Sequence, residues 1–277
     1  MTDSLRRLRA LALNTFAEAL RQRFFAFLAL LGAALAAAGS FLRVFNFGNT
    51  ELKFVADFGF GAMFLFGSIL AVVMTAQLFF SELDNRTALT LLARPVRRWE
   101  FFAGKFLGMW ALLGVFTLAL AGILGALLQM RAWELAATAP DASAAPYFNA
   151  GGLAVFALLQ WLRLGVVAAL TLLVCAVAQS FLYAVTVSAL ATLVCQLRGV
   201  AQSIPAATKD GSPALRAFVE YTGRAIPDLQ MFDLGAPLAL DPKGAPTGVA
   251  LSAAGYGALY IPLLLALAVW LFWDREV

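Results

Sequence analysis

The chain contains no histidine among its 277 residues. That removes the commonest metal ligand and the only side chain whose ordinary charge change falls near neutral pH. Neither an HExxH metal site nor a Ser-His-Asp arrangement can be drawn from it, and no GxSxG elbow occurs. Cysteine is almost missing: Cys175 and Cys195 are the only two. Both fall inside apolar runs, where a lone thiol acts as a small packing group, so no disulfide is expected. Charge is scarce as well, at 13% Asp, Glu, Lys and Arg, roughly half the usage of a soluble globule. No two carboxylates share an apolar run, which excludes an intramembrane aspartyl protease or a magnesium-dependent prenyl transfer. The phosphate-cradling GxxxxGK[ST] loop is missing too. Gly104-Lys105 is followed by Phe106 and has no upstream glycine, so the chain is not expected to bind ATP. The residues present supply no catalytic group, cofactor site or metal ligand, and the chain is not read as an enzyme.

Apolar residues are what it has in excess. They make up 62% of the chain, and the mean hydropathy is +0.84, values no water-soluble fold carries. The sequence therefore describes an all-α, polytopic membrane protein. Read at about 20 residues per crossing, six spans appear: Phe24 to Leu42, Phe58 to Phe80, Phe106 to Leu128, Gly152 to Val177, Phe181 to Leu197, and Leu251 to Trp273. Glu51, Lys53 and Asp57 are placed in a short loop between the first two, and Trp133, Glu134, Pro140, Asp141 and Pro146 in a loop after the third. Spans four and five come from the 47 residues between Gly151 and Leu197. As one helix these would reach roughly 70 Å, against a hydrocarbon core of ~30 Å. The run must fold back, and Ala178-Gln179-Ser180 is the expected hinge.

Charge placement orients the bundle. Segments 1–23, 81–105 and 274–277 hold 11 Lys and Arg against 7 Asp and Glu, while the other loops hold 8 against 9, with Arg163 left inside a span. The positive-inside bias makes the first set cytoplasmic, with both termini on that side. The small net charge of +4 accords with this bias and does not suggest nucleic-acid binding. Residues 4–22 place Leu5, Leu8, Ala12, Phe16 and Leu20 on one helical face, with Arg6, Arg9 and Arg21 elsewhere. This is the pattern of an interfacial helix in contact with membrane lipids. A cleaved signal is not expected despite Ala36-Ala37-Ala38-Gly39, because the apolar run is too long for one. The segment 198–250 is expected outside the cytoplasm. In it Ser212-Pro213 starts a short surface helix with Leu215, Phe218 and Val219 as its apolar stripe and Gly223 as its stop, and Pro227, Pro237, Pro242 and Pro246 interrupt the remainder of the segment. Trp270 and Trp273 form an interfacial belt before the charged tail from Asp274 to Glu276.

The charge-dense stretch from Phe80 to Lys105, FFSELDNRTALTLLARPVRRWEFFAGK, lies between spans two and three. Ser81 and Asp84 have capping-box spacing, which starts a short helix at Glu82. Pro95 ends it. Trp99, Phe102 and Phe106 then recur at near-helical spacing, giving an amphipathic helix in the headgroup layer that turns into the next span. Glu82, the run from Thr87 to Leu92, the turn Arg94-Pro95-Val96-Arg97-Arg98, and Gly104-Lys105 entering the next helix together resemble the cytoplasmic loop between the second and third spans of ABC-2 type permeases. Ile226-Pro227-Asp228-Leu229-Gln230-Met231-Phe232 is similar to a segment after the fifth span in the branch of that family associated with multicopper-enzyme maturation.

The resemblance implies a single ABC-2 type transmembrane domain over residues 1–277. It divides into an interfacial helix at 1–23, spans at 24–80, a coupling elbow at 81–105, spans at 106–197, an outer loop at 198–250, and span six with its tail at 251–277. It also implies an exporter subunit in the inner (cytoplasmic) membrane, paired with a second permease and worked by a separate ATP-binding subunit that carries ATP and Mg. On this reading Glu82, Asp84, Asn85, Arg86, Thr87, Arg94, Pro95 and Arg97 are the docking residues for that subunit. A non-transporting scaffold that uses the same loop to hold a cytoplasmic partner is the alternative class.

Three further features each carry two readings. Gly104 and Gly108 have GxxxG spacing, which suits close helix packing, either between subunits or ordinary. Arg163, with Gln160 one turn before it, marks a function or a buried partner by default, unless span four starts later and the side chain snorkels outward. Ser188, Thr192 and Gln196 form a stripe at four-residue spacing on span five, which either lines a substrate path or packs against another helix. Nothing in the residues names the substrate.

Overall fold

The computed structural model describes residues 2–41, 51–84, 98–138, 147–203, 226–242 and 247–273. Among them the chain is helical, without strands. The elements are α1 (Thr2–Leu20), α2 (Arg23–Phe41), α3 (Glu51–Asp84), α4 (Arg98–Thr138), α5 (Ala150–Val177), α6 (Phe181–Ser203), a 3-10 turn (Gln230–Phe232), α7 (Gly235–Ala239) and α8 (Thr247–Trp273). Six of these, α2 to α6 and α8, are long and apolar enough to cross a membrane.

α3, α4 and α5 form the centre. α2 lies on α3 and α4, α6 on α3 and α5, and α8 on α5 and α4. Three buried threonine hydroxyls inside the spans are satisfied locally, since lipid offers no partner. Thr117 donates to the Leu113 carbonyl at 2.9 Å, Thr171 to that of Val167 at 2.9 Å, and Thr192 to that of Ser188 at 2.8 Å. Asn149 caps α5, its Oδ1 accepting from the Gly151 and Gly152 amides at 2.9 and 3.2 Å. The chain turns at Ala178 to Ser180, and the Ser180 hydroxyl accepts from the Tyr183 amide at 3.4 Å to start α6. An uncharged serine cap is enough to break the 47-residue apolar run.

Several sequence expectations are corrected. The central helices outrun their apolar stretches. Glu51, Lys53 and Asp57 belong to the first turns of α3, and Trp133 and Glu134 to the last turns of α4, not to loops. The continuation is held by Arg131, which pairs with Glu51 across the two helices and with Glu134 along its own. Ser81 does not cap a new helix at Glu82. α3 runs on through Asp84, and the Ser81 hydroxyl donates back to the Leu78 carbonyl at 3.3 Å. The amphipathic helix expected around Trp99 is the first turns of α4 itself. Trp99 is exposed, but Phe102 and Phe106 are buried in the bundle, not laid in headgroups.

α1 is turned relative to the expected face. Thr15 and Ala19 are buried, and Leu8, Leu11, Ala12 and Phe16 are half-buried, whereas Leu5, Leu13 and Leu20 stand exposed beside them. One apolar stripe therefore meets the bundle and a second faces outward, an arrangement suited to a helix lying in the headgroup layer.

The segment 226–242 departs most from expectation. It is not a surface loop but folds back into the bundle, with Leu229, Phe232, Leu238 and Ala239 buried. The expected helix at Ser212 to Gly223, the residue Pro246 and the tail from Asp274 lie outside the described residues.

Candidate functional site

Two places in the bundle concentrate polar groups in apolar surroundings. The first is the neck where α3 ends and α4 begins, on either side of residues 85–97. Phe79 and Phe80 at the end of α3 meet Phe101 and Phe102 at the start of α4. Phe272 near the end of α8 completes the cluster, 5.1 Å from Phe102 and 6.1 Å from Phe79 between ring centroids. All five rings are buried, in the tilted and edge-on contacts that aromatic quadrupoles favour. Beside them Lys105, 4% exposed, donates from Nζ to the Leu78 carbonyl at 3.1 Å. A lysine buried to this degree is retained only with a firm acceptor, so this bond straps the first turns of α4 to the last turns of α3.

α1 closes the neck from another side. A Cβ on Gly104 would come within 2.7 Å of the Leu11 Cβ, and one on Gly108 within 2.6 Å of the Ala12 carbonyl oxygen. The GxxxG face of α4 is thus filled by α1 of the same chain, because only glycine lets the two backbones come this close.

The second place is Arg163, at the middle of α5 and 2% exposed. Its Nη1 donates to Gln160 Oε1 at 3.3 Å and its Nη2 to Gln196 Oε1 of α6 at 2.6 Å. Its Cζ lies 3.8 Å from the centroid of the Phe64 ring on α3, close enough for a cation–π contact. The guanidinium does not snorkel. Its length is used across the α3–α5–α6 junction instead. Among the described residues Nε has no acceptor, and neither Gln160 Nε2 nor Ser188 Oγ has a partner. Asp228 and Asp233 act on the charge through space.

Those carboxylates are carried by the returning segment. Arg198 donates to the Ile226 carbonyl. The Tyr256 hydroxyl of α8 accepts from the Asp228 amide at 2.8 Å, and Asp228 Oδ1 accepts from the Gln230 amide at 2.9 Å. Phe232, fully buried, sits against Gly257. A short charged stretch is thereby pinned against the bundle, with Asp228 half-buried and Asp233 exposed.

A family model described as ABC-2 family transporter protein matches residues 2–277. The chain belongs to that family. No curated protein matches it. As an ABC-2 permease it is a membrane transport component, and six apolar helices make it multi-pass.

The residues singled out in the sequence of this permease fall into three groups. Glu82 and Asp84 form the last turn of α3, while Asn85, Arg86, Thr87, Arg94, Pro95 and Arg97 lie outside the described residues. Gly104 and Gly108 are brought together with α1. Arg163 and Gln196 are joined directly, and Thr192 and Ser188 continue the same inward face of α6, 6% and 0% exposed.

The sequence reading missed a reciprocal pair that ties α4 to α5 in this ABC-2 fold. Trp110 and Trp161 stack at 4.3 Å with 15° between their planes. Trp110 Nε1 donates to the Trp161 carbonyl at 3.2 Å, and Trp161 Nε1 to the Trp110 carbonyl at 2.7 Å. Each indole lies against a glycine one turn along the opposite helix: Trp110 against Gly165, and Trp161 against Gly114. The signal was legible, because WALLG at 110–114 and WLRLG at 161–165 repeat one W-x-x-x-G spacing.

Proposed function

We propose that this permease is the transmembrane half of an ABC exporter in the inner membrane, with both termini cytoplasmic. A separate ATP-binding subunit, carrying ATP and Mg, docks on the loop that includes Glu82, Asp84, Asn85, Arg86, Thr87, Arg94, Pro95 and Arg97. Two permeases pair to enclose the path. The observation that carries this reading is the neck. Residues 85–97 are flanked by helix ends that the aromatic cluster and the Lys105 strap hold as one body with α8, and α1 packs on the same turns of α4. A push that reaches these helix ends is therefore not taken up between them. It tilts α3, α4 and α8 together, and α5 moves with them through the tryptophan pair. Gating by rigid elements needs this kind of linkage, because packed cores switch between discrete arrangements and do not deform smoothly.

The test uses the permease assembled with its ATPase in proteoliposomes. Reversing charge at Glu82→Lys and Arg94→Glu should abolish permease-stimulated ATP hydrolysis while the complex still co-purifies. Unchanged hydrolysis in an intact complex would overturn the reading and favour a scaffold. A cysteine introduced at Asn85 should resist an impermeant thiol reagent in intact cells, and labelling there would place the loop on the wrong side. Cys175 and Cys195 are buried, so the native thiols give little background.

A further inference from the structure

We infer that the cleft between α3 and α6 is a binding site for a membrane-borne, single-chain amphiphile with an anionic head group, of the fatty-acid class, whose head is received by Arg163. The cleft has a volume of about 250 Å³, larger than the ~150 Å³ apolar cavity that admits a benzene ring. Its mouth faces outward: Leu65 and Leu193, on its two walls, are 49% and 57% exposed. Ile69, Val72 and Val185 line it further along, with almost no polar surface. On the α6 wall it runs from Val185 to Gln196, about 16 Å of helix.

One end differs from the rest. There the lining residues are Phe64 and Gln196, and these are two of the groups that touch the Arg163 guanidinium. The apolar channel thus leads to a buried cation.

Among the described residues that cation has no carboxylate in direct contact. Its contacts among these residues are two neutral amides and a ring, and its Nε–H has no acceptor among them. Asp228 and Asp233 reach it only through space. A buried guanidinium is costly without an anion, and an amide carbonyl is a weaker acceptor than a carboxylate. An incoming head group takes the place that the Gln196 carbonyl holds at Nη2, and the alkyl tail lies along the cleft wall. The reach of the α6 wall and a cleft volume of about 250 Å³ suit one acyl chain. The site does not depend on the transport reading, because binding is measured on the chain alone.

The experiment uses the full chain in phosphatidylcholine nanodiscs, with radiolabelled laurate as probe and scintillation proximity as readout. Laurate should bind saturably and be displaced by unlabelled laurate, but not by dodecanol or dodecylamine at the same concentration. Arg163→Gln should weaken binding at least about tenfold, the worth of one charge-assisted bond. Ala189→Trp, which fills the cleft, should do the same, and Gln196→Ala, which removes the competing acceptor, should tighten it. Leu190→Trp, on the outward face of α6, should change nothing. Thermal unfolding identifies the variants that fold. Should Arg163→Gln fail to fold, the cleft-filling variant and the head-group competition decide. Displacement by dodecanol as effective as by laurate would overturn the proposal, as would saturable binding unaltered in folded Ala189→Trp or Arg163→Gln, or the lack of any saturable binding to folded wild-type protein.

Discussion

α5 and α6 are the two arms of one hairpin, cut from a single apolar run, yet they occupy opposite situations. In α5, 67% of the most apolar stretch is buried inside the protein, and in α6 only 22%. Their mean hydropathies over those stretches, 2.0 and 1.5, rank them the same way but cannot account for the gap. The difference lies in what lets one helix approach another. α5 offers Gly152 and Gly165 at its contacts, Trp161 as a knob, and Gln160 and Arg163 as polar links. α6 turns Leu182, Leu190, Leu193 and Leu197 outward, each more than half exposed, and sends inward the stripe of Ala184, Ser188, Thr192 and Cys195, with Gln196 beside it. In lipid, leucine gains nothing by leaving the hydrocarbon, so helices associate through close backbone approach and hydrogen bonds. The three central helices are also the three most apolar, but it is small and polar residues that mark where they meet.

Substitutions on the two arms test this contrast. The largest effect is expected at Gly152, where an added Cβ would fall 1.8 Å from the Leu238 carbonyl oxygen. Gly152→Ala must displace backbone, unseating α7 and the returning segment with it. A loss of at least about 3 kcal/mol is expected, read as a collapse of the unfolding temperature in detergent or of folded yield. A variant that melts like wild type would show that this close approach is not required.

Next comes the tryptophan pair. Trp161→Phe removes one indole N–H bond and part of the stack, and should cost about 2 kcal/mol. Trp110→Phe should cost a similar amount. The double variant should fall short of the sum by about 1 kcal/mol, since the reciprocal bonds and the stack are shared. Strict additivity in the thermal unfolding cycle would show that the two rings act separately.

A smaller effect is expected where the arms meet. Gln196→Leu deletes the amide that joins α6 to Arg163, and because it leaves a buried guanidinium with one acceptor fewer, about 1 to 2 kcal/mol should be lost. A change at or below the noise of the melting curve would make α6 an independent arm. Smallest of all, Leu190→Ala on the outward face of α6 should stay within about 0.5 kcal/mol, since it exchanges one lipid-facing apolar side chain for a smaller one. A larger loss would mean that this face is covered by protein, most directly by a second permease copy.

The neck and the buried arginine were legible to different degrees. Charge density at Phe80 to Lys105 and Pro95 flagged a loop between spans two and three, and Gly104 with Gly108 flagged a close helix contact. What covers those glycines was not legible, because α1 reaches them from the far N-terminal end of the chain. The capping box at Ser81 misled, since a local motif yields when the preceding helix can simply continue. Arg163 stood out as a charge in an apolar run, but its outward and inward readings were equally open, and only the position of Gln196 and Phe64 on other helices decides between them. Trp99, Phe102 and Phe106 read as a headgroup helix because their spacing is the same for lipid and for a core, and the choice falls to Phe79 and Phe272.

The sequence alone determined that this protein lives in a membrane and crosses it with helices. Those properties rest on composition and on the number of consecutive residues that can sit in hydrocarbon, and neither depends on which residues meet. Tertiary structure decided which helices are central, that α1 fills the glycine face of α4, that residues 226–242 return into the bundle, and that Arg163 points inward to Gln196. In lipid, hydrophobicity favours no particular neighbour, so each of these outcomes depends on contacts between residues distant in the chain.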